Sequence, residues 1–202
     1  MARRCVLADA IERPILTLPE AEAEVLAAAY RSASVILEYG SGGSTVLGSD
    51  MGKTLFSVES DPDWLAQMQA WFDGHKPKGR VILHHGDIGP TGKWGMPKAP
   101  RSFRNWPRYA LSVWDRPDFE QPDVVLVDGR FRPACLLTTA FRTKRPVRLF
   151  FDDYAERPAY HAVEEIVRPV ALHGRMAEFH ISPMPIPVDR LDWVISLFLR
   201  PQ

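Results

Sequence analysis

Three groups of residues in this sequence could do chemistry on a bound ligand. The first is the turn from Glu38 to Thr45, whose glycines lack a Cβ and let the backbone approach a ligand closely. The second is Glu59, a carboxylate that can accept hydrogen bonds from both hydroxyls of a ribose. The third is a pair of acidic segments, 128–130 and 152–153, whose carboxylates can bind a cation or take up a proton.

The elements that must position these residues alternate between strands and helices. Short runs of β-branched and aliphatic residues indicate buried strands, and helical patterns lie between them. The predicted strands are 34–37, 55–58, 81–83, 124–127, 147–151, 177–181 and 193–199, and the predicted helices are 20–31, 44–51, 61–74, 133–142 and 159–167. This order predicts an α/β fold, a doubly wound and mostly parallel seven-stranded sheet with helices on both faces. The last two strands have no helix between them, so we expect a C-terminal antiparallel strand pair.

Residues 1–202 are long enough for one domain with a sizeable core, so we predict a single domain. Within it, residues 1–33 form an N-terminal helical segment. Residues 89–115 match no regular element and carry arginines together with three tryptophans. Two interpretations of this insert stay open: a lid over a small-molecule pocket, or a loop packed by its own tryptophans with solvated arginines.

Composition narrows the class of partner. The chain has 25 acidic and 25 basic residues and a formal net charge of zero, which disfavours nucleic acid as the partner. No apolar run approaches the roughly 20 residues of a membrane-spanning helix. The two cysteines, Cys5 and Cys135, are far apart and form no metal-binding pattern, as expected in a reducing cytoplasm. We therefore expect a cytoplasmic protein with a small-molecule partner.

The turn itself suits two kinds of ligand. A dinucleotide-binding turn favours a small residue at position 45, where this chain has Thr45, and it receives a pyrophosphate. S-adenosylmethionine (SAM) has no phosphate but carries an amino group, which Glu38 could contact directly or through water. The residues thus favour SAM, and a nucleotide- or NAD-dependent enzyme remains the alternative.

Glu38, Gly40 and Gly42, with the order of elements from 34 to 199, resemble the class I SAM-dependent methyltransferases. The resemblance implies that Glu59 binds the ribose and that Asp87, in Gly86-Asp87-Ile88, accepts a hydrogen bond from the adenine. The SAM-binding residues expected on this basis are Glu38, Tyr39, Gly40, Ser41, Gly42, Ser44, Thr45, Glu59, Ser60, Asp87 and Ile88. The implied activity is methyl transfer to an oxygen or nitrogen of a small acceptor. Because Ser44 replaces the third glycine of the motif, a SAM-binding module without catalysis is a further alternative.

Asp128 and Asp152 follow the fourth and fifth predicted strands and, with Asp153, resemble the metal site of cation-dependent, catechol-type O-methyltransferases. That resemblance implies Mg²⁺ on Asp128, Asp152 and Asp153. The predicted catalytic residues are Asp128, Arg130 and Asp152. The open alternative is that Asp128 and Asp152 pair with Arg130, Arg132 or Arg157, because arginine stays protonated and binds carboxylates well.

Overall fold

The computed structural model describes residues 12–202, so Cys5 and the first eleven residues of the predicted N-terminal segment lie outside the described residues. The strands are β1 (Val35–Tyr39), β2 (Thr54–Glu59), β3 (Arg80–His85), β4 (Val124–Val127), β5 (Val147–Phe151), β6 (Ala171–His173) and β7 (Met176–Ile181). The α-helices are α1 (Glu20–Ser32), α2 (Gly43–Asp50), α3 (Pro62–Gly74), α4 (Pro107–Leu111), α5 (Arg132–Arg142) and α6 (Leu191–Phe198).

All seven strands form one sheet in the order β3-β2-β1-β4-β5-β7-β6. The pairs among β1 to β5 are parallel, whereas β7 runs antiparallel to both β5 and β6. The α/β class, the seven strands, the parallel majority and the antiparallel pair near the C-terminus are confirmed. Strand order reverses beside β1, which places the ends of β1, β2 and β4 next to one another.

Local signals explain where the helices begin. Asp61 caps α3, and its carboxylate accepts hydrogen bonds from the amides of Asp63 and Trp64 at 2.9 and 3.3 Å. Pro62 occupies the first turn, where its missing N–H costs nothing. The helix α2 starts directly after the glycine turn, at Gly43. Its N-terminal amides therefore lie at the end of β1.

The sheet buries a different set of side chains on each face. One face packs on α1 and α2 through residues such as Leu26, Ile36 and Leu126. The other carries Leu37, Val125 and their neighbours and packs on α4, α5 and α6. Because successive residues of a strand point to opposite faces, each strand of the sheet centre contributes to both cores. The strand ends are thereby held rigidly from two sides.

The predicted strand at 193–199 is wrong, because this segment belongs to helix α6. Its apolar run looked extended, but Val194 and Leu197 are buried three residues apart while Ile195 is 52% exposed. That spacing is helical. The antiparallel pair is instead formed by β6 and β7. The predicted helix at 159–167 is a 3₁₀ helix at Pro158–Glu165.

The insert at 89–115 contains more regular structure than predicted, with 3₁₀ helices at Lys93–Gly95, Pro100–Asn105 and Ser112–Asp115 around α4. Trp106, Tyr109 and Trp114 are 9%, 0% and 7% exposed and cover one face of the sheet. The segment connects β3 to β4, which are parallel strands of the same sheet. It is packed on the sheet because such a connection must cover the sheet face that it crosses. Trp94 differs from them, since it is 77% exposed.

Among the described residues, no helix combines the length and apolar character needed to cross a membrane.

Candidate active site

The glycine turn and Glu59 meet at the ends of β1 and β2. The amide of Ser41 lies 3.4 Å from Oε2 of Glu59, and the amide of Gly40 donates to the carbonyl of Val58 at 2.8 Å. The other carboxylate oxygen of Glu59, Oε1, accepts from the amides of Ser60 and Asp61 at 2.7 and 2.9 Å. Burial raises the pKa of Glu59, and these amides oppose that effect. Oε2 therefore has the greater remaining capacity to accept from a ligand.

Glycine is favoured at positions 40 and 42 of the turn for different steric reasons. Gly40 has a φ of +107°, and a Cβ there would come within 2.9 Å of the backbone nitrogen of Gly129. It lets β1 and β4 end in contact. At Gly42 a Cβ would have no atom of residues 12–202 within 4 Å, so in the described part of the chain open space lies beside the turn. The turn is thus tight on the side of β4 and open at Gly42, which fits a ligand that approaches the backbone.

Glu38 does not fit the direct contact with an amino group that the sequence suggested. Its side chain is fully buried, and its carboxylate accepts hydrogen bonds from the hydroxyls of Tyr30 and Thr45, both at 2.6 Å, and of Ser57 at 3.2 Å. Burial raises its pKa, and these hydroxyls oppose the rise. The Thr45 hydroxyl also accepts from the amide of Gly42 at 3.0 Å. Glu38 therefore stabilises the conformation of the turn through Thr45.

Of the remaining residues predicted to bind SAM, most have buried side chains and one is exposed. The hydroxyl of Tyr39 donates to the carbonyl of Ala110 and accepts from the indole of Trp114, so this side chain belongs to the core. Ile88 is fully buried, and Ser44 and Ser60 are 7% and 1% exposed. Asp87 is exposed and accepts from the amide of Gly89 at 2.9 Å.

The loop after β3 is drawn toward Glu59, because the amide of Gly86 donates to the Glu59 carbonyl at 2.8 Å. Asp87 and Glu59 therefore stand at neighbouring strand ends. The amides of Gly40, Ser41 and Gly42 all donate within the protein, so the turn offers a ligand close approach at Gly42 and not unpaired amides. Of the predicted set, Oε2 of Glu59, whose one contact among the described residues is the long one from Ser41, and Asp87 are the side-chain groups that a ligand can reach. The buried members hold those groups in place.

The three carboxylates after β4 and β5 are paired with arginines. Asp128 and Asp153 lie 3.2 and 3.1 Å from Arg132, and Asp153 also pairs with Arg157 at 2.8 Å. Asp152 receives two parallel hydrogen bonds from Arg175, at 2.9 and 2.8 Å. Guanidinium groups thus neutralise all three carboxylates and engage both oxygens of Asp152, which lowers their affinity for a metal ion.

These residues do not fit the Mg²⁺ site implied by the sequence. In the described part of the chain, no group of three or more histidine, cysteine or acidic side chains is arranged to hold a metal ion. The alternative of arginine pairing holds for Asp128, whose partner Arg132 was in the predicted set. Asp152 is also paired with an arginine, but with Arg175, which was not in that set. Asp152 is 1% exposed and both of its carboxylate oxygens accept from Arg175, so its side chain presents almost no surface to a ligand.

Asp128 has a raised pKa, and its carboxyl group, unlike that of Asp152, is partly exposed. Burial is the largest influence and raises its pKa to about 7; Arg132 opposes the rise, and the neighbouring Asp152 adds to it. About a third of its side chain, 34%, still faces solvent. A carboxyl group that is accessible and titrates near neutral pH can accept a proton from a reacting group.

Several functional neighbours have no local sequence signal. Arg175 lies 23 positions from Asp152 and reaches it only because β7 pairs with β5. The turn that carries it could have been found, since Gly174 has a φ of +56° and marks the hairpin between β6 and β7. In the insert, the Gly95 carbonyl accepts from the Ser60 hydroxyl at 3.0 Å, which fixes the segment 93–95 beside Glu59.

No protein-family model and no curated protein matches this chain. Among solved structures, a methyltransferase-like protein from Silicibacter pomeroyi DSS-3 is 49% identical with a TM-score of 0.90, covering 94% of this chain and 99% of that one. The O-methyltransferase TomG from Streptomyces achromogenes, in complex with SAM, is 15% identical with a TM-score of 0.54 and coverages of 84% and 82%. An O-methyltransferase from Bacillus cereus, in complex with S-adenosylhomocysteine (SAH), is 13% identical with a TM-score of 0.56 and coverages of 82% and 82%. With this fold, this site and a close relative over nearly its whole length, the chain belongs to the class I SAM-dependent methyltransferases.

Proposed function

We propose that this protein transfers a methyl group from SAM to an oxygen or nitrogen atom of a small acceptor, without a metal ion. The observation that carries the proposal is the contact between the glycine turn and Glu59, where the Ser41 amide lies 3.4 Å from the carboxylate. It brings an open backbone turn and an acceptor for ribose hydroxyls together at the reversal of strand order.

The SAM site consists of the turn 40–42, Glu59 and Asp87. The turn allows SAM to approach closely at Gly42, Oε2 of Glu59 accepts from the ribose hydroxyls, and Asp87 accepts from the adenine amine. Glu38 acts indirectly, by holding Thr45 and through it the amide of Gly42. SAM supplies a methyl group bound to a sulfonium, which is a good leaving group.

Asp128 is the base that we assign to the acceptor. Methyl transfer forms a bond between the acceptor atom and the methyl carbon while the carbon–sulfur bond of SAM breaks, and removing the acceptor's proton makes that atom more nucleophilic. With its pKa raised to about 7, Asp128 is partly ionised at neutral pH and binds a proton more strongly than an ordinary aspartate. Arg132 lies 3.2 Å from this carboxylate and orients it. Arg130, two residues along the same loop, faces the acceptor.

Isothermal titration with SAM, SAH and NAD tests the proposal. SAM and SAH should bind and NAD should not. Glu59→Gln keeps the shape of the side chain and one acceptor oxygen but removes its charge, which should weaken SAM by about 1.5–3 kcal/mol, or roughly 10- to 150-fold.

The matched control is Glu24→Gln, on the exposed face of α1, which should leave affinity unchanged. Equal affinity of the Glu59→Gln variant and the wild type would show that the ribose binds elsewhere. Tight binding of NAD without SAM would favour the dinucleotide alternative. SAM binding with no turnover of any acceptor would favour a binding module.

A further inference from the structure

A cavity of about 360 Å³ opens beside the loop that follows β4. Its walls come from the insert, from this loop, from the 3₁₀ helix at 158–165 and from the last residue, and they comprise Met96, Arg130, Arg157, Pro158, Ala159, Tyr160 and Gln202. This volume lies within the usual range for small-molecule sites. The cavity shares Arg130 with the loop that carries Asp128, two residues earlier in the chain. Asp128 itself is not part of the wall.

Arg130 is the unusual member of this lining. Among residues 12–202, no carboxylate lies within ion-pairing distance of its guanidinium, and one of its nitrogens donates to the sulfur of Met96 at 3.2 Å. A thioether is a weak acceptor and carries no charge. Arg157 differs, because it is paired with Asp153 at 2.8 Å and bonded to the Tyr160 hydroxyl at 3.0 Å.

The surroundings of Arg130 leave positive charge uncompensated. Burial is the first cause that lowers its pKa, and the nearby cations Arg132 and Arg157 add to the effect. Together with Arg175, four guanidinium groups surround the three carboxylates of Asp128, Asp152 and Asp153. A half-buried cation in such a field is stabilised by an anion that enters the cavity.

We propose that this cavity binds the carboxylate group of the methyl acceptor, and that Arg130 is the residue that holds it. This inference rests on the proposed function. A planar guanidinium with no carboxylate partner among residues 12–202 matches one carboxylate in a two-pronged hydrogen-bonding arrangement. Met96, Pro158 and Ala159 provide apolar surface for the carbon skeleton. The acceptor is therefore a small organic acid whose hydroxyl or amino group faces Asp128.

Isothermal titration of the SAH-saturated protein with benzoate and with benzamide tests this assignment, because the two probes share a shape and differ in charge. Benzoate should bind and benzamide should bind at least roughly tenfold more weakly. Arg130→Gln should remove the preference, and Arg130→Lys should restore part of it by keeping the charge without the planar fork. Arg168→Gln, at an exposed arginine away from the cavity, should behave as wild type.

The outcomes separate this inference from the proposed function. If SAH does not bind, the proposed function fails, and the same benzoate titration of the free protein still tests the cavity. If SAH binds but benzoate and benzamide bind equally, or neither binds, the carboxylate site is refuted. The same conclusion follows if Arg130→Gln keeps the benzoate affinity while its thermal unfolding matches the wild type. Tighter binding of inorganic phosphate than of benzoate would also overturn it.

Discussion

The pairing of Asp152 with Arg175 should contribute strongly to stability. The Asp152 side chain is 2% exposed, and both of its oxygens receive hydrogen bonds from Arg175, which is 30% exposed. Arg175→Met leaves a buried carboxylate without its cation, beside Asp128. Such a loss typically costs about 3–5 kcal/mol, and because water can reach the Arg175 side we expect the lower end, about 3 kcal/mol.

Urea unfolding measures this effect as a lower midpoint with an unchanged slope. For a chain of this length the loss corresponds to a decrease of roughly 6–12 °C in the midpoint of thermal unfolding. The control is Arg13→Met, which breaks an exposed pair with Asp50, 61% and 41% exposed, and should cost less than about 1 kcal/mol.

A double variant, Asp152→Asn with Arg175→Met, tests whether the loss of stability comes from the unpaired charge of Asp152. A neutral amide is far less costly to bury than an unpaired carboxylate, so the double variant should be more stable than Arg175→Met alone. Two results would refute the reasoning: an Arg175→Met variant no less stable than Arg13→Met, or a double variant no more stable than the single one.

Three further predictions follow from the same site. Gly40→Ala should lose SAM binding in isothermal titration and about 1–3 kcal/mol of stability in urea, because Gly40 has a φ of +107° and an added Cβ would lie 2.9 Å from Gly129; Gly74→Ala, whose added Cβ meets nothing within 4 Å among the described residues, should lose neither. A ¹³C NMR titration of the carboxyl groups should show Asp128 ionising as the pH rises through about 7, a signal that Asp128→Asn removes; a midpoint near the ordinary value of about 3.9 would contradict the assignment of the base. Titration with Mg²⁺ should give no saturable heat, since arginines occupy the carboxylates; saturable binding abolished by Asp128→Asn would restore the metal site.

The central strands and helix α3 were predicted well, because short apolar runs and capping residues mark them locally in the sequence. The strands β4 and β5 match their predicted bounds, and the end of α3 at Gly74 and its cap at Asp61 follow from residue types alone. Where the period of the apolar pattern was ambiguous, as at 193–199, the helix could not be distinguished from a strand until its packing against α5 was known.

The site was predicted less completely, since its decisive contacts join distant parts of the chain. The glycine turn and Glu59 could be recognised, because both lie directly at strand ends. That Glu38 would be enclosed by Tyr30, Thr45 and Ser57 depends on α1 packing against β1, which no motif reveals. The choice between a metal and arginines at Asp152 depended on Arg175, which only the pairing of β7 with β5 brings there.

Arg132 has a consequence for how this end of the sheet opens. Its guanidinium is 3% exposed and donates to the carbonyls of Gly129 at 3.0 Å, Asp128 at 3.0 Å and Asp152 at 2.5 Å. One side chain thus joins the backbone segments that follow β4 and β5. Neither segment can separate from the sheet without breaking bonds to the same arginine, so in hydrogen exchange they belong to one cooperative unit. Local unfolding therefore removes the proposed base and its supporting carboxylates together.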